Sequence, residues 1–157
     1  MQAPDTGLKS NTKAEMVALL NLWLAEAIDL ALITKQAHWN IKGETFIAVH
    51  EMLDKLRDDL DEHVDIIAER VAQLDGIAAG TVQHVAAASK LPPYPTETRR
   101  IKEHLQALVE RYAAVSKSTR QGIDEADGAG DADSADILTA FSRTLDKNLW
   151  FLRSHLE

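Results

Sequence analysis

The sequence contains no cysteine among its 157 residues. This absence excludes disulfide bonds, thiolate metal sites and cysteine nucleophiles. The N-terminal segment has no charged stretch followed by an apolar one, and no apolar run approaches the roughly 20 residues that cross a membrane. These absences predict a cytoplasmic protein with no membrane partner.

Glycine and proline are also few, with 7 and 4 residues respectively, so long regular elements should dominate. The length is that of one domain with a sizeable core. The net charge of −8 argues against binding nucleic acid with the whole surface, which normally requires a basic patch. A charge of this sign suits a protein that attracts cations.

The spacing of apolar residues predicts a first helix from about residue 11 to 39 and a second from about 45 to 74. Asn11 or Thr12 is predicted to cap the start of the first helix, and Glu15 follows Thr12 at the spacing of a capping box. That helix is apolar around its whole circumference, so it must be covered on more than one side. In a chain this short, we expect part of the cover to come from another subunit.

A link of about 20 residues follows, with room for a short helix within residues 81–88. The third helix is predicted to start after Thr96, with Glu97 in its first turn. The segment GAGDAD should end it, and Asp133 or Ser134 should cap the last helix. Short turns and one long central link predict an all-α, ferritin-like four-helix bundle, with an extra short helix in the crossover between helices two and three. Residues 11–157 form the single domain, and residues 1–10 are expected to be a flexible tail.

The second helix carries an acidic stripe. At about 100° per residue, measured from His50, the apolar residues of this helix fall between about 240° and 320° and form its core face. Five carboxylates fall between about 20° and 100°, away from the bundle interior; they are Asp54, Asp58, Asp61, Asp65 and Glu69. A solvated helix face explains such a stripe. A metal site explains it as well, because His38 and His50 lie at its N-terminal end and imidazole with carboxylate binds iron or zinc.

The axial spacing of the stripe limits how a metal could be held. Asp54 and Asp65 are about 16 Å apart along the helix, so they cannot share a metal within one chain. Two copies meeting antiparallel around a two-fold axis would place the histidine end of one against the Asp65 and Glu69 end of the other. No glutamate is followed by a histidine three residues later. The Glu-x-x-His motif of the usual di-iron site inside the bundle is therefore absent from the sequence.

Several of these residues form a composite motif that resembles the Dps family, the mini-ferritins named for DNA protection during starvation. The similarity extends over residues 11–157 and includes the PPYP turn and the segment ADILTAFSRTLDKNLWFL near the C-terminus. The motif consists of His38-Trp39-Asn40, Gly43, Phe46, His50, Asp54, Asp65 and Ala68-Glu69-Arg70.

The resemblance implies a hollow homododecamer with ferroxidase centres at its two-fold interfaces. By position, His38, His50 and Asp54 would come from one subunit, and Asp65 and Glu69 from its partner. His38 and Glu69 would be the principal iron ligands. Asp65 would bind the metal or orient His38. His50 and Asp54 would complete the second metal position.

The implied reaction is oxidation of Fe(II) to Fe(III), preferentially by hydrogen peroxide, with the mineral stored inside the shell and DNA thereby protected. Zinc or manganese could occupy the same mixed nitrogen and oxygen ligands. Trp39, beside the site, could donate electrons to stray oxidants, or it could simply pack at the interface. A structural oligomer whose metal sites are vestigial is a further alternative.

Two more features leave alternatives open. Six carboxylates between residues 124 and 136 form either a solvated loop or a negative funnel at a three-fold pore; they are Asp124, Glu125, Asp127, Asp131, Asp133 and Asp136.

The N-terminal tail has only two basic residues, Lys9 and Lys13, and one acidic residue, Asp5, unlike the lysine-rich tails of well-known family members. DNA is therefore expected to be a weak partner. A nucleoid-associated protein that protects by coating DNA remains the alternative function. The four other histidines are isolated in the sequence and are expected to be structural or surface residues; they are His63, His84, His104 and His155.

Overall fold

A computed structural model describes residues 6–157, and the regular elements within that range are five helices. The first five residues of the predicted tail lie outside the described range. Four helices are long and one is short, which confirms the predicted ferritin-like bundle and its extra helix in the crossover. The helices are α1 (Ser10–Asn40), α2 (Phe46–Gln73), α3 (Val82–Ala88), α4 (Ile101–Ala129) and α5 (Ala132–Ser154).

The bundle consists of two hairpins. A short turn joins α1 to α2, another joins α4 to α5, and the partners within each hairpin pack closely. α1 also packs against α4 and α3, so part of the cover that its apolar surface requires comes from the same chain. The core between the hairpins is aliphatic, with Tyr112 and Phe141 as its largest fully buried side chains.

α1 is the helix in the described part of the chain whose length and composition would allow it to cross a membrane. An 18-residue window within it has a mean hydropathy of 1.9. The expectation that no apolar run approaches this length is therefore wrong for α1. Within the bundle, 56% of that window is buried, which is the pattern of a core helix.

The predicted capping box of α1 is wrong. The helix begins at Ser10, and its N-cap Lys9 makes no side-chain capping bond. Thr12 is instead buried, and its hydroxyl donates to the Ala129 carbonyl oxygen at 3.3 Å. A contact between helices therefore uses the side chain that the local pattern assigned to capping.

The third long helix, α4, starts at Ile101, later than predicted. Lys42 N donates to the Arg99 carbonyl oxygen at 2.7 Å, and Ile101 N donates to the Lys42 carbonyl oxygen at 3.3 Å. These bonds form a parallel bridge between Lys42 and Arg100. Because the bridge keeps this backbone extended, Glu97 does not enter the first turn of the helix.

The last helix, α5, is capped by Asp131 and not by Asp133 or Ser134. The Asp131 carboxylate accepts from Ser134 N at 3.1 Å and from Arg70 Nη2 at 2.7 Å. α4 continues through Ala129, so the predicted break over residues 128–133 is confined to the turn at Gly130, with φ of 82°. Arg70 selects the cap, because it places its guanidinium beside Asp131 in the interior.

Candidate metal centre

His38 and His50 face each other across the first hairpin. His38 lies in the last turn of α1 and His50 in the second turn of α2. Their rings stack with centroids 3.6 Å apart. His38 Nδ1 lies 2.8 Å from the His50 carbonyl oxygen, and His50 Nδ1 lies 2.9 Å from the His38 carbonyl oxygen. The short turn between the helices thus brings two imidazoles into a reciprocal pair.

This pair fixes which ring nitrogens are available. A carbonyl oxygen can only accept a hydrogen bond, so both Nδ1 atoms carry the proton. In the neutral imidazole, Nε2 then holds a free lone pair, which is the form that binds metal ions. The His38 side chain is only 7% exposed, and the reciprocal hydrogen bonds hold its ring in one orientation.

Asp54 lies one turn beyond His50 on α2 and completes a local trio. Its Oδ1 is 3.5 Å from His38 Nε2. A carboxylate oxygen and an imidazole lone pair repel each other at this distance unless a proton or another cation lies beside them. Lys35 supplies a cation, because its ammonium donates a hydrogen bond to the same Asp54 oxygen. That hydrogen bond holds the pKa of the Asp54 carboxyl below its usual range against the opposing effect of desolvation, and the neighbouring His38 lowers it further.

Asp65 and Glu69 are exposed on the acidic face of α2, away from the buried stripe of Leu53, Leu56 and Leu60. The structure therefore places the acidic stripe where the angular argument predicts it. It does not bring these two carboxylates to the histidines, because they lie further along the same helix. Between residues 6 and 157, no group of three or more His, Asp or Glu side chains is arranged to hold a metal ion.

Apolar side chains are exposed around the trio. Trp39, next to His38, is 66% exposed, and Ile47, one turn before His50, is 61% exposed. By the same angular count, Ile47 lies about 60° from His50, within the acidic stripe. A single exposed apolar side chain is common on a protein surface, whereas several on one face are typical of a contact surface.

Lys35 was missed by the sequence analysis. It precedes His38 by three residues on α1, so the two side chains occupy one helix face. That spacing alone could have indicated that Lys35 lies beside His38. The ion pair with Asp54, however, depends on how far α2 is shifted along α1, and local patterns do not specify this shift.

The other polar features fall into two groups. Asp131 is buried and paired with Arg70, so it is not available to line a funnel, whereas the other five carboxylates of that stretch are exposed. His63 and His104 are buried and hydrogen-bonded, the first to Thr144 and the second between the Tyr94 hydroxyl and the Thr98 carbonyl. Both are structural residues. His84 and His155 lie on the surface.

Comparison with known proteins yields relatives across nearly the whole chain. A family model described as a ferritin-like domain matches residues 17–157. The DNA protection during starvation protein of Agrobacterium fabrum is 55% identical over 150 residues, covering 96% of this chain and 93% of that protein. The fine tangled pili major subunit of Haemophilus ducreyi is 36% identical, covering 96% of this chain and 79% of that protein.

Solved structures show the same similarity. The tetragonal form of Mycobacterium smegmatis Dps matches with a TM-score of 0.94 and 33% identity, covering 99% of this chain and 95% of that one. A Vibrio cholerae protein, described as a member of a broad superfamily of ferritin-like diiron-carboxylate proteins, matches with a TM-score of 0.90. At 22% identity, that second match supports the fold alone.

Proposed function

Because this chain belongs to the Dps family of ferritin-like proteins, we propose that it oxidises Fe(II) to Fe(III) at sites shared between subunits. The ferric product is stored in a hollow shell. The observation that carries the proposal is the reciprocal pair of His38 and His50, whose Nδ1 atoms are both hydrogen-bonded and which sets the Nε2 atom of His38 3.5 Å from an Asp54 oxygen. Imidazole with carboxylate is a ligand set that suits iron.

The proposed centre draws its ligands from two copies of the chain. His38, His50 and Asp54 come from one copy, and Asp65 and Glu69 come from the other. The separation of about 16 Å along α2 prevents one chain from gathering all five. Antiparallel α2 helices around a two-fold axis would bring the two halves together twice in each dimer. His38 and Glu69 are the principal ligands, and Asp65 binds the metal or orients His38.

The exposed apolar residues support self-association at this face. Ile47 and Trp39 would be covered by the partner subunit, which would also exclude water from the centre. On α2, Ile66 is 37% exposed and would extend the same contact. The family resemblance extends the two-fold dimer to a dodecamer, the assembly that would enclose the mineral.

In the proposed reaction, iron is the substrate and hydrogen peroxide is the preferred oxidant. Two Fe(II) ions supply the two electrons that reduce one peroxide to water, so no hydroxyl radical is released. Consuming both reactants together protects DNA in the cytoplasm. The trio contributes lone pairs and negative charge, and zinc or manganese could occupy the same ligands. Trp39 is placed to donate an electron to a stray oxidant, and packing against the partner is its alternative role.

The proposal is tested by the double variant His38→Ala with Glu69→Ala. Anaerobic Fe(II) is mixed with peroxide, and ferric absorbance is followed over time. The variant should assemble normally by size-exclusion chromatography, but its oxidation should be slowed by at least about 100-fold. The control, His84→Ala with Glu97→Ala, removes the same residue types at exposed positions and should keep the native rate. Unchanged rates in the first variant would rule the assignment out.

DNA coating is the second candidate function, favoured by the name of the Agrobacterium fabrum relative, which describes DNA protection. The N-terminal tail offers little positive charge for binding DNA, because Lys13 is paired with Asp75 at 2.9 Å. Retardation of duplex DNA in a gel, titrated across salt concentrations, tests this function. No retardation even at low salt would sink it.

A further inference from the structure

The crossover reaches α4 through a proline-rich stretch. Residues 92–95 read Pro-Pro-Tyr-Pro, and proline has no backbone N–H to donate. The backbone bonds that hold a helix or a strand are therefore largely unavailable here, and the helices of the described chain leave residues 91–98 out. Side chains of α4 hold this stretch in place instead.

Arg111 is the first of these side chains, and only 5% of it is exposed. Its Nη2 donates to the Pro93 carbonyl oxygen at 2.5 Å, and its Nε donates to the Pro92 carbonyl oxygen at 3.3 Å. The guanidinium carbon also lies 5.2 Å from the centroid of the Tyr94 ring, a cation–π contact. A guanidinium is not deprotonated in proteins, so this part of the contact does not depend on pH.

His104 is the second side chain, and it is almost fully buried. Its Nε2 lies 2.9 Å from the Thr98 carbonyl oxygen, and its Nδ1 lies 2.7 Å from the Tyr94 hydroxyl oxygen. A carbonyl oxygen can only accept, so Nε2 carries the proton and Nδ1 accepts from the hydroxyl. The neutral imidazole thus makes one bond as donor and one as acceptor, both to the crossover.

Protonation of His104 conflicts with this arrangement. The second proton would lie on Nδ1 and point at a hydroxyl that already donates towards it. Burial raises the pKa of Tyr94, so the hydroxyl keeps its proton and must turn it away to another acceptor. The imidazolium would also lie against the Tyr94 ring, centroid to centroid at 5.8 Å, which already contacts the Arg111 guanidinium. Two cations against one ring repel each other.

The charges around His104 favour the neutral form at pH 7. Burial lowers its pKa from the usual 6.5, and the nearby carboxylate of Glu103 opposes the shift. Glu110, which is largely exposed, lies 3.9 Å from Arg111. Within residues 6–157, no charged side chain of α1, α2 or α5 forms a hydrogen bond or an ion pair with His104.

We propose that His104 and Arg111 form an acid-sensitive clasp, which holds residues 92–98 of the crossover on α4 at neutral pH and releases them when His104 is protonated. Leu91 and Tyr94 pack against the core, so release would uncover the part of the core beneath them. The clasp shares no residue with the proposed metal centre and does not depend on the ferroxidase proposal.

Hydrogen–deuterium exchange of the assembled protein, followed by mass spectrometry, tests the clasp. Exchange is measured at about pH 7.5 and about pH 5.5, and each rate is corrected for the intrinsic effect of pH on amide exchange. Peptides that cover residues 91–100 should exchange about fivefold faster at the lower pH, the effect of losing about one hydrogen bond. A peptide from residues 53–60, in the buried part of α2, should stay protected at both pH values.

Three variants assign the effect. His104→Gln keeps a donor and an acceptor but cannot bind a proton, so its two rates should differ by less than about twofold. Tyr94→Phe removes the hydroxyl that protonation displaces, so its ratio of rates should also fall below the native value. His84→Gln changes an exposed histidine on α3 and should keep the native ratio. Circular dichroism and size-exclusion chromatography check that each variant folds and assembles.

The outcomes divide clearly. Acid-accelerated exchange that is confined to the crossover and lost in His104→Gln supports the clasp. Equal corrected rates at the two pH values in the native protein would overturn it, as would a native acid response in His104→Gln. If His104→Gln does not fold, Tyr94→Phe decides, because a native ratio of rates in that variant would overturn the proposal as well.

Discussion

Lys35 donates a hydrogen bond to Asp54, so a cation from α1 neutralises a predicted metal ligand on α2. The same Asp54 oxygen lies 3.5 Å from His38 Nε2. An Fe(II) ion that bound this oxygen of Asp54, as we propose, would therefore have to displace the ammonium of Lys35. We therefore expect Lys35 to lower the affinity of the proposed position for metal while its hydrogen bond keeps the Asp54 carboxylate beside His38.

The first prediction follows from this competition. Lys35→Met keeps the length and packing of the side chain but removes its charge, so Fe(II) no longer competes with an ammonium. We expect Fe(II) to bind about fivefold more tightly, the size of effect that a half-exposed ion pair produces. Anaerobic calorimetric titration of the assembled protein measures it. Lys55→Met, which removes an exposed charge next to Asp54 in the sequence, should leave the affinity unchanged, and a weaker affinity for Lys35→Met would contradict the prediction.

The second prediction concerns the buried pair that fixes the start of α5. Arg70 and Asp131 are nearly inaccessible, with side-chain exposures of 10% and 1%, and their charged groups are 2.7 Å apart. Arg70→Met would leave the Asp131 carboxylate buried without a cation. We expect the free energy of unfolding to fall by about 3 kcal/mol. Urea denaturation measures it, and the exposed change Arg143→Met should cost less than about 0.5 kcal/mol.

The third prediction is a pH dependence that arises from His104. Burial lowers the pKa of this imidazole from its usual 6.5, although the Thr98 carbonyl and Glu103 oppose the shift. As the pH falls below about 6.5, His104 binds a proton in the unfolded chain but not yet in the folded chain. The free energy of unfolding therefore falls. The stabilisation is present above this pH and is lost on acidification.

His104→Gln should lose less stability than the native protein between about pH 7.5 and about pH 5.5, because the titrating group is gone. Urea midpoints at the two pH values provide the measurement. His84→Gln changes an exposed histidine and should keep the native pH dependence. If His104→Gln and the native protein show the same loss on acidification, burial of His104 is not its source.

The helices and their exposed and buried faces could be predicted from the sequence because both depend on periodicity. Leu53, Leu56 and Leu60 repeat at helical spacing, and they are fully buried as predicted. The caps could not be predicted in the same way. Thr12 and Asp131 make their bonds to Ala129 and Arg70, residues far away in the chain. Such bonds depend on helix packing, which competes with the local capping pattern.

In the candidate metal centre, too, some contacts could be predicted from the sequence and others depend on helix packing. The turn at residues 41–45 is short, so His38 and His50 had to lie close together, and their pairing could be predicted. Lys35 required the register between α1 and α2, which the spacing of apolar residues leaves undetermined. Asp65 and Glu69 depend on a second copy of the chain, so their role stays a prediction.

The last prediction uses two glycines of α4 with different surroundings, Gly122 in the interior of the helix and Gly128 in its last turn. A Cβ atom at Gly122 would lie 2.5 Å from Cζ2 of Trp23 and 2.7 Å from its Cε2, whereas one at Gly128 would meet nothing within 4 Å. Alanine favours a helix over glycine by about 1 kcal/mol, and it should therefore stabilise the open position slightly. At Gly122 the buried indole of Trp23 must shift, which should cost about 1–3 kcal/mol and outweigh that gain. Thermal unfolding of Gly122→Ala and Gly128→Ala should therefore move the melting temperature in opposite directions, and a stabilised Gly122→Ala would show that Trp23 does not pack against α4 this closely.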